Sequence, residues 1–167
     1  YRLSHSAFLL ALDQFLAGIP IFLFSLIGGA VADRAERRKI LIISQCVQMG
    51  SATLLTVLVA TGHIHVAQIL CLSFVSGLAQ AFGGPAYQAL IPTLVKREDM
   101  PNAIALNSIQ FNMAVTIGPA LAGLALAKLG EKWCFGLNAL SFLAPIISLL
   151  FISARFLPGN ATESILS

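Results

Sequence analysis

The stretch GGAVADRAERRK, residues 28–39, decides how this chain is read. Six of its last seven residues are charged, in a chain that is only 10% charged overall. On both sides lie apolar runs long enough to cross the roughly 30 Å hydrocarbon core of a bilayer. Runs of that length need lipid as their solvent, because a chain of this size has too little polar surface to hide them. The charged insert needs water, and its four cations choose the side of the membrane on which it lies. The pattern predicts an all-α, polytopic transmembrane helical bundle, with residues 33–39 forming a cytoplasmic turn.

The bulk composition agrees. Of 167 residues 57% are hydrophobic, and the mean hydropathy is +0.87. Soluble domains carry about 25% charged residues, more than twice the value here, which argues against the rival reading of a water-soluble helical bundle. The net charge of +3 comes from cations clustered in turns without stacking aromatics. It therefore reports membrane orientation and not nucleic-acid binding. Cys46, Cys71 and Cys134 are odd in number and widely spaced, which points to neither a disulfide framework nor a metal site. His63 and His65 stand in a short outer turn and lack the partners a metal needs. No phosphate-binding Gly-Lys-Ser/Thr loop and no nucleophile elbow occurs, so no cofactor, metal or enzyme activity is expected. The chain starts without Met, in YRLSHSAF, which reads as a fragment.

Five spanning helices are predicted, at about 8–32, 40–61, 66–84, 102–129 and 133–156. Pro20 falls inside the first. Gly83, Gly84 and Pro85 loosen the third, leaving residues 86–95 as an extension before the charged turn 96–101. The polar stretch 158–167 reads as the start of a linker, which makes 1–157 one transmembrane domain. With the 33–39 turn inside, alternation puts Arg34, Arg37, Arg38, Lys39, Lys96, Arg97 and Arg155 inside. Arg2, Lys128 and Lys132 then lie outside, and the bias matches the positive-inside rule. The sequon at Asn160 falls on the inner side, where glycosylation is not expected.

The spacing Gly29-x-x-x-Asp33-Arg34-x-x-Arg37-Arg38-Lys39, set between two spans, resembles the signature between the second and third helices of major facilitator superfamily transporters. Gly118-Pro119-Ala120-Leu121-Ala122-Gly123 resembles the glycine-proline motif in the fifth helix of that superfamily's exporters. The stretch 85–140 is similar to the secretion-effector branch that includes enterobactin exporters. The resemblance covers nearly the whole chain and implies that its spans are the family's helices two to six. The first helix and the C-terminal half of the transporter then lie outside it. Glu36 stands where the family often has Gly, as do Ala114 and Ala122 in the exporter motif. Ser73 stands where many drug/proton exporters carry an Arg.

The resemblance implies an ion-gradient-driven exporter of a small amphiphilic molecule, a drug or a siderophore, working by alternating access in the plasma (inner) membrane. Its partners would be the lipid bilayer, the small-molecule substrate and the rest of the same transporter. It also implies that Gly29, Asp33, Arg34, Arg37, Arg38 and Lys39 latch the cytoplasmic gate, and that Gly118, Pro119 and Gly123 form a tight seam. The residues themselves allow two roles for the basic cluster. Asp33 can cap a helix N-terminus and the guanidiniums can fork onto Glu98 or Asp99, or the turn is merely solvated and sets topology.

The fourth span is the polar one. Ser108, Asn112 and Thr116 share one face, and Asn107, Gln110, Ala114 and Gly118 another. Amides in a lipid-embedded helix must be hydrogen-bonded or wet, so Asn107, Gln110 and Asn112 are either interhelical glue or part of a substrate path. Asp13 is the acid inside a span, a candidate for proton or cation coupling, or else a solvated interfacial group. A truncated, non-transporting membrane protein or assembly partner is the alternative function. The orientation has a direct test. A thiol engineered beside Arg37, in a chain stripped of its own cysteines, is expected to resist an impermeant maleimide on intact cells and to react after permeabilisation.

Overall fold

A computed structural model describes residues 7–152. Arg2, Arg155, Asn160, residues 153–156 of the fifth predicted span and the polar stretch 158–167 lie outside the described residues. The helices are α1 (Ala7–Arg34), α2 (Arg37–Thr61), α3 (Val66–Leu94), α4 (Met100–Leu129), α5 (Glu131–Ser141) and α6 (Leu143–Phe151). A 3₁₀ turn, Arg97–Asp99, precedes α4. Among the described residues there are five segments long and apolar enough to cross a membrane, the last of them made of α5 and α6 together. The expected all-α transmembrane bundle is therefore the observed fold.

Its outside is greasier than its inside. Phe22 is 83% exposed and Leu26 85%, while the buried positions are mostly Ala, Gly and Ser. Such a surface is stable against acyl chains, and small residues let helix backbones approach where packing, not hydrophobicity, drives association. The most extensive contact joins α1 to α3. A Cβ on Gly77 would overlap the Ala17 carbonyl, and one on Gly28 would overlap the carbonyl of Ala81.

Helix α3 differs from its sequence expectation. It runs unbroken through Gly83, Gly84 and Pro85 to Leu94 instead of loosening at 84. Pro85 has no N–H to give Ala81, four residues back. The freed Ala81 carbonyl instead faces the Cα of Gly28 on α1, a weak C–H···O contact of the kind common at close helix crossings. The proline defect is thus absorbed at the seam between α1 and α3, and the helix continues.

The other boundaries also shift. Helix α2 begins at Arg37, not near residue 40, so Arg37, Arg38 and Lys39 form its first turn. The last span is broken at Phe142. Pro145 cannot donate to Ser141, and the helix restarts with Ile146 N–H bonded to the Phe142 carbonyl. At the outer turn, Gly62 takes φ +72° and closes α2, with its own N–H on Val59 and that of His63 on Leu58. This is the Schellman arrangement that glycine favours. His65 opens α3, where its N–H donates to Gln68 Oε1 at 2.8 Å.

The α1–α3 seam yields a test. Gly77→Ala and Gly28→Ala are each expected to lower stability by about 1–3 kcal/mol, the usual cost of overpacking. Gly18→Ala, where a Cβ meets nothing within 4 Å, is expected to leave it unchanged. Thermal melting of detergent-solubilised protein, followed by size exclusion, reads the difference.

Candidate functional site

Three arrangements concentrate the polar chemistry. The first is built by Arg37 and Arg38. Cations in the first turn of a helix sit at the wrong end of its dipole. Both guanidiniums therefore reach across to the carbonyl ends of neighbouring helices. Arg37 Nε donates to the Ala32 carbonyl in the last turn of α1 at 3.4 Å, and Nη1 to the Ala89 carbonyl of α3 at 2.9 Å. Arg38 Nε and Nη2 fork onto the Leu149 and Leu150 carbonyls at 2.6 and 2.8 Å. Helix α6 ends at Phe151, so both carbonyls belong to its last turn, where among the described residues the Arg38 fork is the donor they meet. One basic patch thus ties the ends of α1, α3 and α6 to the start of α2, with the two charged turns at the same end of the bundle.

The cations of this patch bind backbone more than carboxylates. Asp33 lies 3.8 Å from Arg37 with its side chain 74% exposed, and it caps no helix N-terminus among the described residues. Lys39 pairs with Glu36 at 2.8 Å, and Glu98 stands beside Lys96 and not beside the arginines. Arg34 is exposed. Gly29 is half-buried, yet a Cβ there meets nothing within 4 Å; the close contact falls to its neighbour Gly28.

The second arrangement surrounds Asp13. Ser73 Oγ on α3 donates to Asp13 Oδ1 on α1 at 2.5 Å, with Asp13 half-buried. Sequence reading singled out the acid but treated Ser73 only as a departure from a family arginine. Their union depends on the α1–α3 crossing, which the sequence does not display.

The third is a polar cleft of about 480 Å³ between α2, α3 and α4. Asn107 and Asn112 line it from α4, facing Gln45 of α2 and Gln80, Tyr87 and Gln88 of α3. Tyr87 Oη donates to Asn107 Oδ1 at 2.8 Å, and Asn112 Nδ2 donates to the Ser108 carbonyl at 2.7 Å. Above it, Gln48 Nε2 donates to Gln80 Oε1 at 3.3 Å and to Ser44 Oγ at 3.2 Å, while Ser44 Oγ donates to the Ala79 carbonyl at 2.7 Å. Gln80 also lines a second cavity of about 370 Å³ that continues towards Ser73 and Ser76. Gln110 is exposed outside the cleft. The glutamines escaped the sequence reading; Ser44, Gln48 and Ser51 at helical spacing on α2 were the available signal.

The exporter-like motif has no such neighbours. No atom lies within 4 Å of a Cβ placed on Gly118 or Gly123, and no residue of α4 is buried. Gly118, Pro119 and Gly123 therefore form no seam among the described residues.

The Arg38 fork can be tested by itself. Arg38→Ala is expected to cost about 1–3 kcal/mol through loss of its charge-assisted bonds. Arg38→Lys should not restore them, because one ammonium cannot reproduce a planar two-pronged donor. Hydrogen exchange across residues 143–152 should accelerate in both variants.

Comparison with known proteins agrees with this architecture. Residues 2–164 match the transmembrane secretion effector family, MFS_3. The chain is 28% identical over 161 residues to the enterobactin exporter EntS of Shigella boydii serotype 4, covering 96% of this chain and 39% of that protein. It is 27% identical over 162 residues to EntS of Salmonella typhimurium, covering 97% and 39%. With EntS of Escherichia coli O1:K1 it shares 28% identity over 161 residues, covering 96% and 39%. The chain thus spans about two fifths of the length of the curated relatives it matches. The sequence resemblance holds, and the chain belongs to the transmembrane secretion effector family of major facilitator transporters.

Proposed function

We propose that this chain supplies five helices, the family's second to sixth, of the N-terminal half of an exporter for a small amphiphilic molecule. An ion gradient drives it by alternating access. The family match along nearly the whole chain is the observation that carries this reading. The relatives named as enterobactin exporters favour outward transport of a siderophore-class or drug-class cargo.

Each polar arrangement has a place in this scheme. The half-bundle must rock as one body, and the close α1–α3 crossing together with the Arg37 and Arg38 clamps makes it stiff. Asp33, Arg34 and Lys39 keep exposed charge at the same end. With Gly29 they belong to the cytoplasmic gate, latching onto the C-terminal half of the transporter. Gly118, Pro119 and Gly123 on the uncovered α4 suit a tight seam with helices outside this chain. Asn107 and Asn112 line the cargo path from one side. Gln110, on the open face of α4, turns towards the remainder of the transporter. The plasma (inner) membrane is the site, with the 33–39 and 96–101 turns in the cytoplasm.

Asp13 is the coupling group. Its carboxyl accepts the Ser73 hydroxyl across the α1–α3 crossing, so any change at Asp13 acts on the bond that joins those two helices. In the full-length transporter, Asp13→Asn is expected to abolish uphill efflux driven by a pH gradient in proteoliposomes. Downhill exchange of cargo should persist. Uphill efflux at the unmodified rate in this variant would remove Asp13 from the coupling step.

A further inference from the structure

The bond between Ser73 and Asp13 sits where α1 and α3 are pressed together. One helical turn further along both helices stand Ala17 and Gly77, and a Cβ on Gly77 would overlap the Ala17 carbonyl. Ser and Asp have short side chains, so their polar atoms meet across two helices only at such a close crossing. On the helices packed here, the other titratable side chains are placed elsewhere. Asp33 and Arg34 close the far end of α1, where Arg37, Arg38 and Lys39 open α2, and Cys46 lies further along α2. Helix α3 carries Cys71 and Tyr87, with His65 at its N-cap. His65 is roughly 12 Å from Ser73 along the axis and Tyr87 roughly 21 Å. Cys71, two positions before Ser73, points to another side of the helix.

The hydroxyls of this chain show a default. Thr53, Thr56, Thr61 and Ser108 each donate to the carbonyl four residues back on their own helix. The corresponding acceptor for Ser73 is the Ile69 carbonyl, yet its hydrogen goes to Asp13 Oδ1 at 2.5 Å. An ionised carboxylate only accepts, whereas a protonated one has an O–H donor; a hydroxyl has one hydrogen and two lone pairs. A proton taken from water onto Asp13 therefore lets the pair exchange roles. Asp13 O–H then donates to Ser73 Oγ, and the Ser73 hydrogen passes to the Ile69 carbonyl. The Asp13 O–H is the one covalent bond formed, and the hydroxyl merely rotates. Back-bonding of this kind bends a helix slightly, so the proton on α1 is felt in the backbone of α3.

We infer that Ser73 is a two-position hydroxyl and the positioning residue of Asp13: it donates to the carboxylate when Asp13 is ionised, and accepts from Asp13 while donating to the Ile69 carbonyl when Asp13 is protonated. The inference rests on the reading of Asp13 as the coupling group and adds the residue through which its proton acts on α3.

The test is infrared difference spectroscopy of the full-length transporter in lipid as pH is stepped down. It needs no cargo. The carboxylic C=O band of protonated Asp13 is identified by its loss in Asp13→Asn. Ser73→Ala is expected to move that band to higher frequency, because hydrogen bonding weakens the C=O bond. Ser73→Thr, which keeps the hydroxyl, should hold it in place, as should Ser76→Ala one turn away. Hydrogen exchange at fixed pH reads the second position. Asp13→Asn, whose amide donates as the protonated acid does, is expected to change exchange across residues 66–77 when Ser73 is present and not in a Ser73→Ala background. All variants are compared at matched size-exclusion profiles. A band unmoved by Ser73→Ala, or an exchange response that is equal in both backgrounds, overturns the role of Ser73 and leaves Asp13 as the coupling group. Absence of any Asp13-dependent carboxylic band at all pH values overturns both.

Discussion

A helix that ends near lipid leaves carbonyls with no donor, and lipid offers none. In this protein the answer comes from the neighbouring helix start. Arg37 and Arg38 sit where the α2 dipole disfavours them, and they gain by reaching the negative ends of α1 and α6 and a carbonyl of α3. Each guanidinium presents several donors in a rigid fork, so one residue serves two acceptors. The same contact settles the relative position of four helices at one end of the bundle. A signature usually thought of as a charged turn is here also a structural clasp.

Along the spans, glycine and serine do what large apolar residues do in a soluble core. Gly28 and Gly77 bring α1 and α3 together, and Gly83 does the same for α2 and α3 by admitting the Ser44 hydroxyl. Closeness of that kind gives the polar groups short reaches. Ser73 meets Asp13, and Gln48 bridges Ser44 and Gln80. In the proposed alternating-access scheme such interlocking lets these helices move as one body, because loosely joined helices would yield first. Helix α4 stands apart from this pattern. Among the described residues it has no buried position, and its most extensive contacts are with α5 and the 3₁₀ turn, with the Tyr87 bond to Asn107 beside them. In the proposed exporter its polar and glycine-proline faces are the ones that meet helices beyond this chain, which spans about two fifths of its relatives' length.

The number of spans, their approximate limits and the all-α class were legible because hydropathy over about 20 residues is a local property. The family was legible because Gly29, Asp33 and the cations keep a fixed spacing that any reader of the chain can see. Interior details were less so. Pro85 and its two glycines read locally as a helix end, yet α3 continues, since the freed Ala81 carbonyl finds Gly28 more than fifty positions away in the chain. The arginines read as partners for carboxylates, yet they bind carbonyls, because helix ends are brought to them by packing.

By itself, then, the sequence determined the solvent, the spans and the lineage, all of which follow from residue type and short spacing. Tertiary structure decided which glycine is pressed against a neighbour, which hydroxyl meets Asp13 and which amides share a cleft. Those pairings join residues 20 to more than 100 positions apart, from Tyr87 and Asn107 to Arg38 and Leu150. Helical periodicity says which face a side chain is on, but only the crossing of two helices says what that face will touch.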